Sequence, residues 1–212
     1  MKRKVLPLIL LIIVSILAYS YSFVSFLLIV LAVLCLLTLV VVGVVKVFKK
    51  NISHRWINSP VVLLIVCVVG VVVGLLRPFD PAIITSKDVS KSLAYAYEKD
   101  QEDRMNLKFY LFKNQRQHRD SSRLAQVKAL YEADRIEKPL DKFHAAFIFH
   151  HGKKSMLYKI AYELASKAAL ADELKNMYQA QWLAKATYDR WMQSIGQPQK
   201  YNTQDKFSIS VE

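Results

Sequence analysis

The sequence predicts an all-α protein: an N-terminal three-helix transmembrane region followed by a helical-hairpin, repeat-like soluble domain. Three observations carry this. Residues 5–45 form a stretch of 41 residues without a single charge. All 17 acidic residues lie at or after Asp80, while the first 79 residues hold eight charges, all basic. The back of the chain repeats apolar residues at helical spacing between helix start and stop signals. A simple soluble protein is excluded by the first observation. A disordered chain is excluded by its 53% apolar content. The formal charge of +13 is no nucleic-acid signature, because from Pro78 onward 22 Lys and Arg face 17 Asp and Glu. The remaining charge flanks apolar segments, where basic residues set membrane topology.

About 20 residues cross a bilayer core, so 41 is too many for one span. The polar and aromatic cluster Ala18-Tyr19-Ser20-Tyr21-Ser22 is the natural break. It gives helices over about 5–20 and 23–45, with Tyr19 and Tyr21 as interfacial residues. The segment 23–45 contains 18 Leu, Ile, Val and Phe residues. At a few tenths of a kcal/mol each, its insertion is favoured by about 5–11 kcal/mol. A third helix is expected over about 60–76, with Ser59 as N-cap and Pro60 at its first position.

Lys2, Arg3 and Lys4 precede the first helix, and Lys46, Lys49, Lys50 and Arg55 fill the loop after the second. Two crossings separate these groups, so both fit a cytoplasmic side, and the third helix carries residues 78–212 outside. This predicts a multi-pass protein of the bacterial inner membrane with a periplasmic or extracellular domain at 80–212. Residues 1–20 also resemble a signal peptide ending at Ala18-Tyr19-Ser20, but another apolar segment follows at once. Cys35 and Cys67 both fall inside predicted spans, and the outer domain has no cysteine. No ionisable residue lies within a span, which argues for an anchor rather than an ion pathway. Gly70 and Gly74 form a small-xxx-small pair that can mark close association with a membrane helix.

In the outer domain, Pro78-Phe79-Asp80-Pro81 reads as a stiff linker. Ser86 is the expected cap of a helix presenting Val89, Leu93, Ala96 and Tyr97. Residues 107–112 are apolar and ambiguous in period, with helix preferred from their surroundings. Lys113, Arg116, His118, Arg119 and Arg123 are either a patch for anionic headgroups or a solvated helix end, the second being the commoner use of such a run. Four helices follow. The first is capped by Asp120 or Ser121, carries Leu124, Val127, Leu130 and Tyr131, and closes at Lys138-Pro139. The second starts at Asp141, carries Phe143, Ala146 and Phe147, and stops at Gly152. The third opens at Ser155 and buries Leu157, Ile160, Ala161, Leu164 and Ala168. The fourth spans about 177–195 and ends at Gly196 and Pro198.

Four blocks in this region resemble a known group. They are Asp120-x-x-Arg123-x-x-x-Val127, then His144-Ala-Ala-Phe-Ile-Phe-His-His-Gly152, then Trp182-Leu-Ala-x-Ala186-x-x-x-Asp189-Arg190, and finally Gly196-x-Pro198-Gln199-x-Tyr201-x-Thr203-Gln204. In order and spacing they resemble a widespread bacterial family of small helical domains of unknown function. That family shows an A-A-x-I-F-Q-H-G block, a D-R pair and a closing P-Q-x-[YF]-G-T-Q. The resemblance covers residues 120–204. It differs at His150, where the family has glutamine, and at Asn202, where it has glycine; asparagine tolerates the left-handed conformation. The resemblance implies a helical fold and points to residues, but it carries no chemistry.

Two uses of those residues compete. His151 with Asp189 or Thr203 as general base and nucleophile would make an envelope hydrolase or transferase. Alternatively the same residues hold the fold, with Arg190 fastening the extended tail around Tyr201–Gln204. A binding role would draw on His144, His151, Arg190, Gln199, Tyr201 and Gln204, with Trp182, Trp191, Tyr158, Tyr162, Tyr178 and Tyr188 lining a groove or packing a core. His144 and His151 are seven apart, about 10 Å along a helix, too far to chelate one ion together. No H-E-x-x-H, C-x-x-C, P-loop, G-x-G-x-x-G or G-x-S-x-G occurs. No cofactor, metal or nucleic acid is expected. The leading expectation is a membrane-anchored interaction module for a protein or peptide partner, in contact with the lipid bilayer.

Overall fold

The computed structural model describes residues 2–49 and 53–204, with side chains described from Val5 onward. The side chains of Lys2, Arg3 and Lys4, and all of Lys50, on which part of the topology argument rests, lie outside the described residues. The described residues contain nine helices and no strand. They are α1 (Lys2–Ser20), α2 (Val24–Phe48), α3 (Arg55–Leu76), α4 (Val89–Arg104), α5 (Leu107–Leu111), α6 (Lys113–Glu132), α7 (Pro139–His150), α8 (Ser155–Leu170) and α9 (Tyr178–Ser194).

The chain divides into two compact units: Met1–Asp80 with Glu102–Lys113, and Pro81–Gln101 with Asn114–Glu212. Residues 102–113 thus group with the first unit, although they follow residue 79 in the chain. Residues 102–113 return to the first unit because Phe109 stacks on Phe79 at 4.9 Å and the Lys108 ammonium reaches the Arg77 carbonyl.

In the first unit, α2 and α3 are long and apolar enough to cross a membrane, and Val5–Ser20 is a shorter apolar helix. α3 packs against both α1 and α2, which scarcely touch each other. Gly70 and Gly74 make this possible. A Cβ on Gly70 would meet Leu28 Cδ1 at 2.7 Å and Val14 Cγ1 at 2.9 Å. One on Gly74 would collide with the Ser25 hydroxyl and lie 3.3 Å from the Ala18 carbonyl. The close approach expected of these glycines is thus made inside the chain, against α1 and α2, and both are buried there.

α3 begins at Arg55, not at the expected Pro60. The N–H groups of Ile57 and Asn58 already bond back to His54 O, so Pro60 sits inside the helix, where Ser59 caps nothing. α4 begins at Val89 rather than after Ser86. The Asp88 carboxylate accepts from Lys91 N and caps it, while the Ser86 hydroxyl accepts from Asp88 N in the turn before. α5 is helical and capped by Asn106, whose side chain accepts from Lys108 N at 3.0 Å. α6 starts at Lys113, so Asp120 and Ser121 lie within the helix and cap nothing. It ends not at Lys138-Pro139 but at Asp134, which has φ +53° and closes a Schellman turn: Arg135 N bonds Leu130 O and Asp134 N bonds Tyr131 O. Pro139 instead opens α7 at its first position, which places Asp141 in the first turn, buried and accepting from the Ser90 hydroxyl at 2.8 Å.

The second unit is organised around α7, α8 and α9, which pack as successive neighbours. Its core holds Leu93, Ala96, Val127, Phe143, Ala146, Phe149, Ala161, Leu164, Ala165, Ala168, Ala180 and Leu183. The alanines of α8 and α9 let the helix axes approach closely, and the phenylalanines of α7 fill the remaining space. Gly152 ends α7 where a Cβ would lie 2.6 Å from Leu157 Cδ1 and 2.9 Å from Phe149 O. Gly196, at φ +71°, closes α9 with a second Schellman turn, Gln197 N to Met192 O and Gly196 N to Gln193 O.

Candidate functional site

The residues singled out in the sequence separate into two places within the second unit. The first is a latch. Asp189, near the end of α9, is fully buried. Its carboxylate accepts from the backbone N–H groups of Lys200, Tyr201 and Thr203 and from the Thr203 hydroxyl, at 2.8–3.2 Å. Asn202, at φ +53°, turns the tail so that its neighbours' N–H groups converge on one carboxylate. Burial, the largest single influence on Asp189, would raise its pKa; the three N–H donors and the hydroxyl outweigh it and hold the carboxyl below its ordinary range.

Next to it, Arg190 donates through Nη1 to His150 O at 2.9 Å and through Nε to the Gln204 side chain at 3.2 Å. The Gln204 amide donates in turn to Ala186 O, and its backbone N–H donates to the Gln199 side chain at 2.8 Å. Tail, α9 and the end of α7 are thereby tied together. The division of labour differs from the sequence expectation: Asp189 gathers the tail's backbone, and Arg190 joins the tail to α7. The Thr203 hydroxyl donates to Asp189, and among the described contacts neither residue touches His151.

The second place is a cavity of about 310 Å³. His151, the C-cap residue of α7, lies on it with Asp100 of α4, Asp120 and Ser121 of α6, and Lys153 and Lys154 before α8. Leu124, Ile148 and Leu157 give it an apolar floor. The carboxylate beside His151 is Asp100, not Asp189: His151 Nδ1 stands 3.0 Å from Asp100 Oδ2. Asp100 is 2% exposed, and its other oxygen lies 3.9 Å from Nε of Arg123, which is 0% exposed. Arg123 also donates through Nη2 to Asp120 at 2.7 Å. A buried guanidinium thus lies against two carboxylates, one of which also stands beside the imidazole. Of the basic residues between 113 and 123, Arg123 is therefore no surface cation. Asp100 carries no signal of its own in the sequence, because it lies before the recognised blocks, in the mixed-charge stretch that ends α4.

His144 sits elsewhere, one face stacked on Tyr97 at 4.8 Å and buried on α7. Burial lowers its pKa, and the charge of Asp141 offsets this in part. The aromatic residues of α8 and α9 pack on one another: Tyr162 stacks on Trp191 at 5.7 Å and meets Tyr188 edge-on at 5.2 Å, and Tyr201 adds a further edge at 5.8 Å from Tyr188. They are half-buried packing rather than an open groove, while Tyr178 and Trp182 stay largely exposed.

No family model, curated protein or solved structure matches this chain.

Proposed function

We propose that the chain is a membrane-anchored helical binding module whose ligand site is the cavity beside His151. One observation carries it: a cavity of about 310 Å³ has an apolar floor, two exposed lysines at its rim and a wall fixed by the buried Asp100 and Arg123 together with the part-buried Asp120. Rigid polar groups around an apolar floor are the general form of a ligand site. The anchor is α1–α3, set in a bacterial inner membrane with the N-terminus cytoplasmic and the second unit periplasmic or extracellular. Support comes from the apolar, uncovered surface of these helices, where Leu6, Val47 and Phe48 are at least 70% exposed. The basic residues between α2 and α3 support the orientation. Membership of the bacterial family of small helical domains belongs to the same reading. It is supported by the way the separate blocks meet: Asp189-Arg190 holds the Pro198–Gln204 tail, and Asp120 and Arg123 share the cavity network.

The test is a melting scan of the full chain in lipid nanodiscs against a panel of short peptides and small envelope metabolites. A ligand that raises the melting temperature of wild type should fail to do so in a Lys153→Ala/Lys154→Ala variant, whose surface substitutions leave the core alone. An equal shift in both proteins would place binding elsewhere.

A second reading is favoured by the His151–Asp100 contact. The Asp100 carboxylate lies 3.0 Å from Nδ1, close enough that a small rotation of the ring would make it the orienting partner of a general base. A hydrolase or transferase on this chain would then use His151 with Asp100, in place of Asp189 or Thr203. Turnover of ester, amide or phosphoester substrates lost in His151→Ala at unchanged melting temperature would establish it. Unchanged turnover in that variant would remove it.

A further inference from the structure

The short helix α5 is turned inside out for a surface in water. Its inward residues are Lys108 and Phe109, 8% and 0% exposed. The Lys108 ammonium bonds the Arg77 carbonyl and lies over the Phe79 ring at 4.0 Å. The residues that face outward are apolar: Met105, Tyr110, Leu111 and Phe112 are all more than half exposed. A soluble helix of this composition would bury Leu111 and Phe112 and leave its lysine in solvent.

We propose that residues 105–112 lie in the headgroup region of the bilayer, with Leu111 and Phe112 inserted toward the acyl chains. The occupant of this apolar face is lipid. Three observations select it over a protein partner. First, the segment belongs to the unit of the apolar helices α1–α3. Second, Tyr110 meets Phe26, near the start of α2, edge-on at 5.5 Å, so the outward face of α5 continues the exposed apolar surface of that helix. Third, the end of the unit that holds Phe26 is where aromatic residues gather: Tyr19, Tyr21 and Phe23, at and beside the α1–α2 turn, are 45–54% exposed. The chain returns there at Arg77, which donates to Ser20 O. Tyrosines and phenylalanines at one level of an apolar bundle mark the membrane–water boundary, and an amphipathic segment placed at that level lies in the interface with its apolar side down.

This inference rests on the anchor reading, and its experiment separates the two. In a Cys35→Ala/Cys67→Ala background, single cysteines are placed by Leu111→Cys, by Leu37→Cys on an exposed flank of α2, and by Lys128→Cys on the second unit. Each is labelled with an environment-sensitive fluorophore in the full chain. The protein is reconstituted into phosphatidylethanolamine–phosphatidylglycerol vesicles carrying quencher lipids, shallow or deep. The label at 111 should be quenched several-fold more by shallow than by deep lipids, while the label at 128 is quenched by neither. A label at 111 that behaves like that at 128, while the label at 37 is quenched by deep lipids, overturns the inference and leaves the anchor standing. If the label at 37 is not quenched either, the anchor reading fails and this inference fails with it.

Discussion

The Asp189 carboxylate and Thr203, fourteen residues apart, are joined twice: Oδ2 accepts from the Thr203 backbone N–H at 2.9 Å and from its hydroxyl at 2.8 Å. With Lys200 and Tyr201 adding two further N–H donors, the extended tail gains through one side chain the pairing that a strand would take from a sheet. Replacing Asp189 by alanine removes the shared acceptor of four part-buried donors, at about 1 kcal/mol each. Asp189→Ala should therefore lower stability by about 3 kcal/mol or more, and Asp189→Asn by clearly less because one acceptor oxygen remains. Chemical denaturation of the full chain reads both.

The same carboxylate predicts an acid limit. Its folded pKa lies below the unfolded value of about 3.9. Its contribution is thus complete above that value and is lost as pH falls through the folded pKa. Stability of wild type should decline more steeply below pH 4 than that of Asp189→Asn. Parallel curves would contradict the assignment.

His144 acts in the same direction at higher pH. Burial keeps its folded pKa below the unfolded value of about 6.5, against the opposing charge of Asp141. As pH falls below 6.5 the unfolded chain takes up a proton that the folded chain refuses, and stability drops until the folded pKa is reached. His144→Phe, which keeps a ring against Tyr97, should remove this slope below pH 6.5 in a series of urea midpoints.

The two glycines that end α7 and α9 should respond differently to alanine. At Gly152 the new methyl meets Leu157 and the Phe149 carbonyl below 3 Å, an overpacked site costing about 1–3 kcal/mol. At Gly196 there is open space, and only the left-handed backbone at φ +71° resists, at about 1–2 kcal/mol. Gly196→Asn should recover most of that loss, and Gly152→Asn none. Thermal melts of the four variants decide it.

Removing Asp100 takes one carboxylate from the fully buried Arg123. Loss of one partner from such a pair costs about 3–5 kcal/mol, so Asp100→Ala should destabilise strongly. Arg123→Met with Asp100→Leu and Asp120→Leu should restore much of the stability while abolishing ligand binding. Recovery of both would dissociate the network from the cavity's function.

What could be read from sequence follows from how local each cause is. Periodicity sufficed for the core, because Leu93, Val127, Phe143, Leu164 and Leu183 each mark the inner stripe of one helix. Gly152 and Gly196 marked helix ends, the first because a side chain there has no room beside Leu157, the second because its backbone is left-handed. The ends that were misplaced had competing signals: Pro60 fits a first turn as well as an interior site in an apolar helix, and Asp134 entered the left-handed region without a glycine to announce it. The cavity was the least legible part. Asp100 and His151 are 51 positions apart, and nothing local to either states that α4 and the end of α7 share a wall. The grouping of residues 102–113 with the first unit has no local signal either, because it comes from tertiary contact, Phe79 on Phe109.

The arrangement of the first three helices bears on the order in which the unit can assemble. α1 and α2 are consecutive yet meet chiefly through α3, which seats Gly70 and Gly74 against both. The hairpin made first during synthesis therefore has little to hold it closed. Until residues 66–74 emerge, Leu28, Val14 and Ala18 have no partner surface, and the two early helices are free to drift apart. A ribosome-stalled chain ending before residue 60 should show rapid exchange between α1–α2 geometries, and one ending after residue 80 a single geometry. The last helix to be made is the keystone of the three.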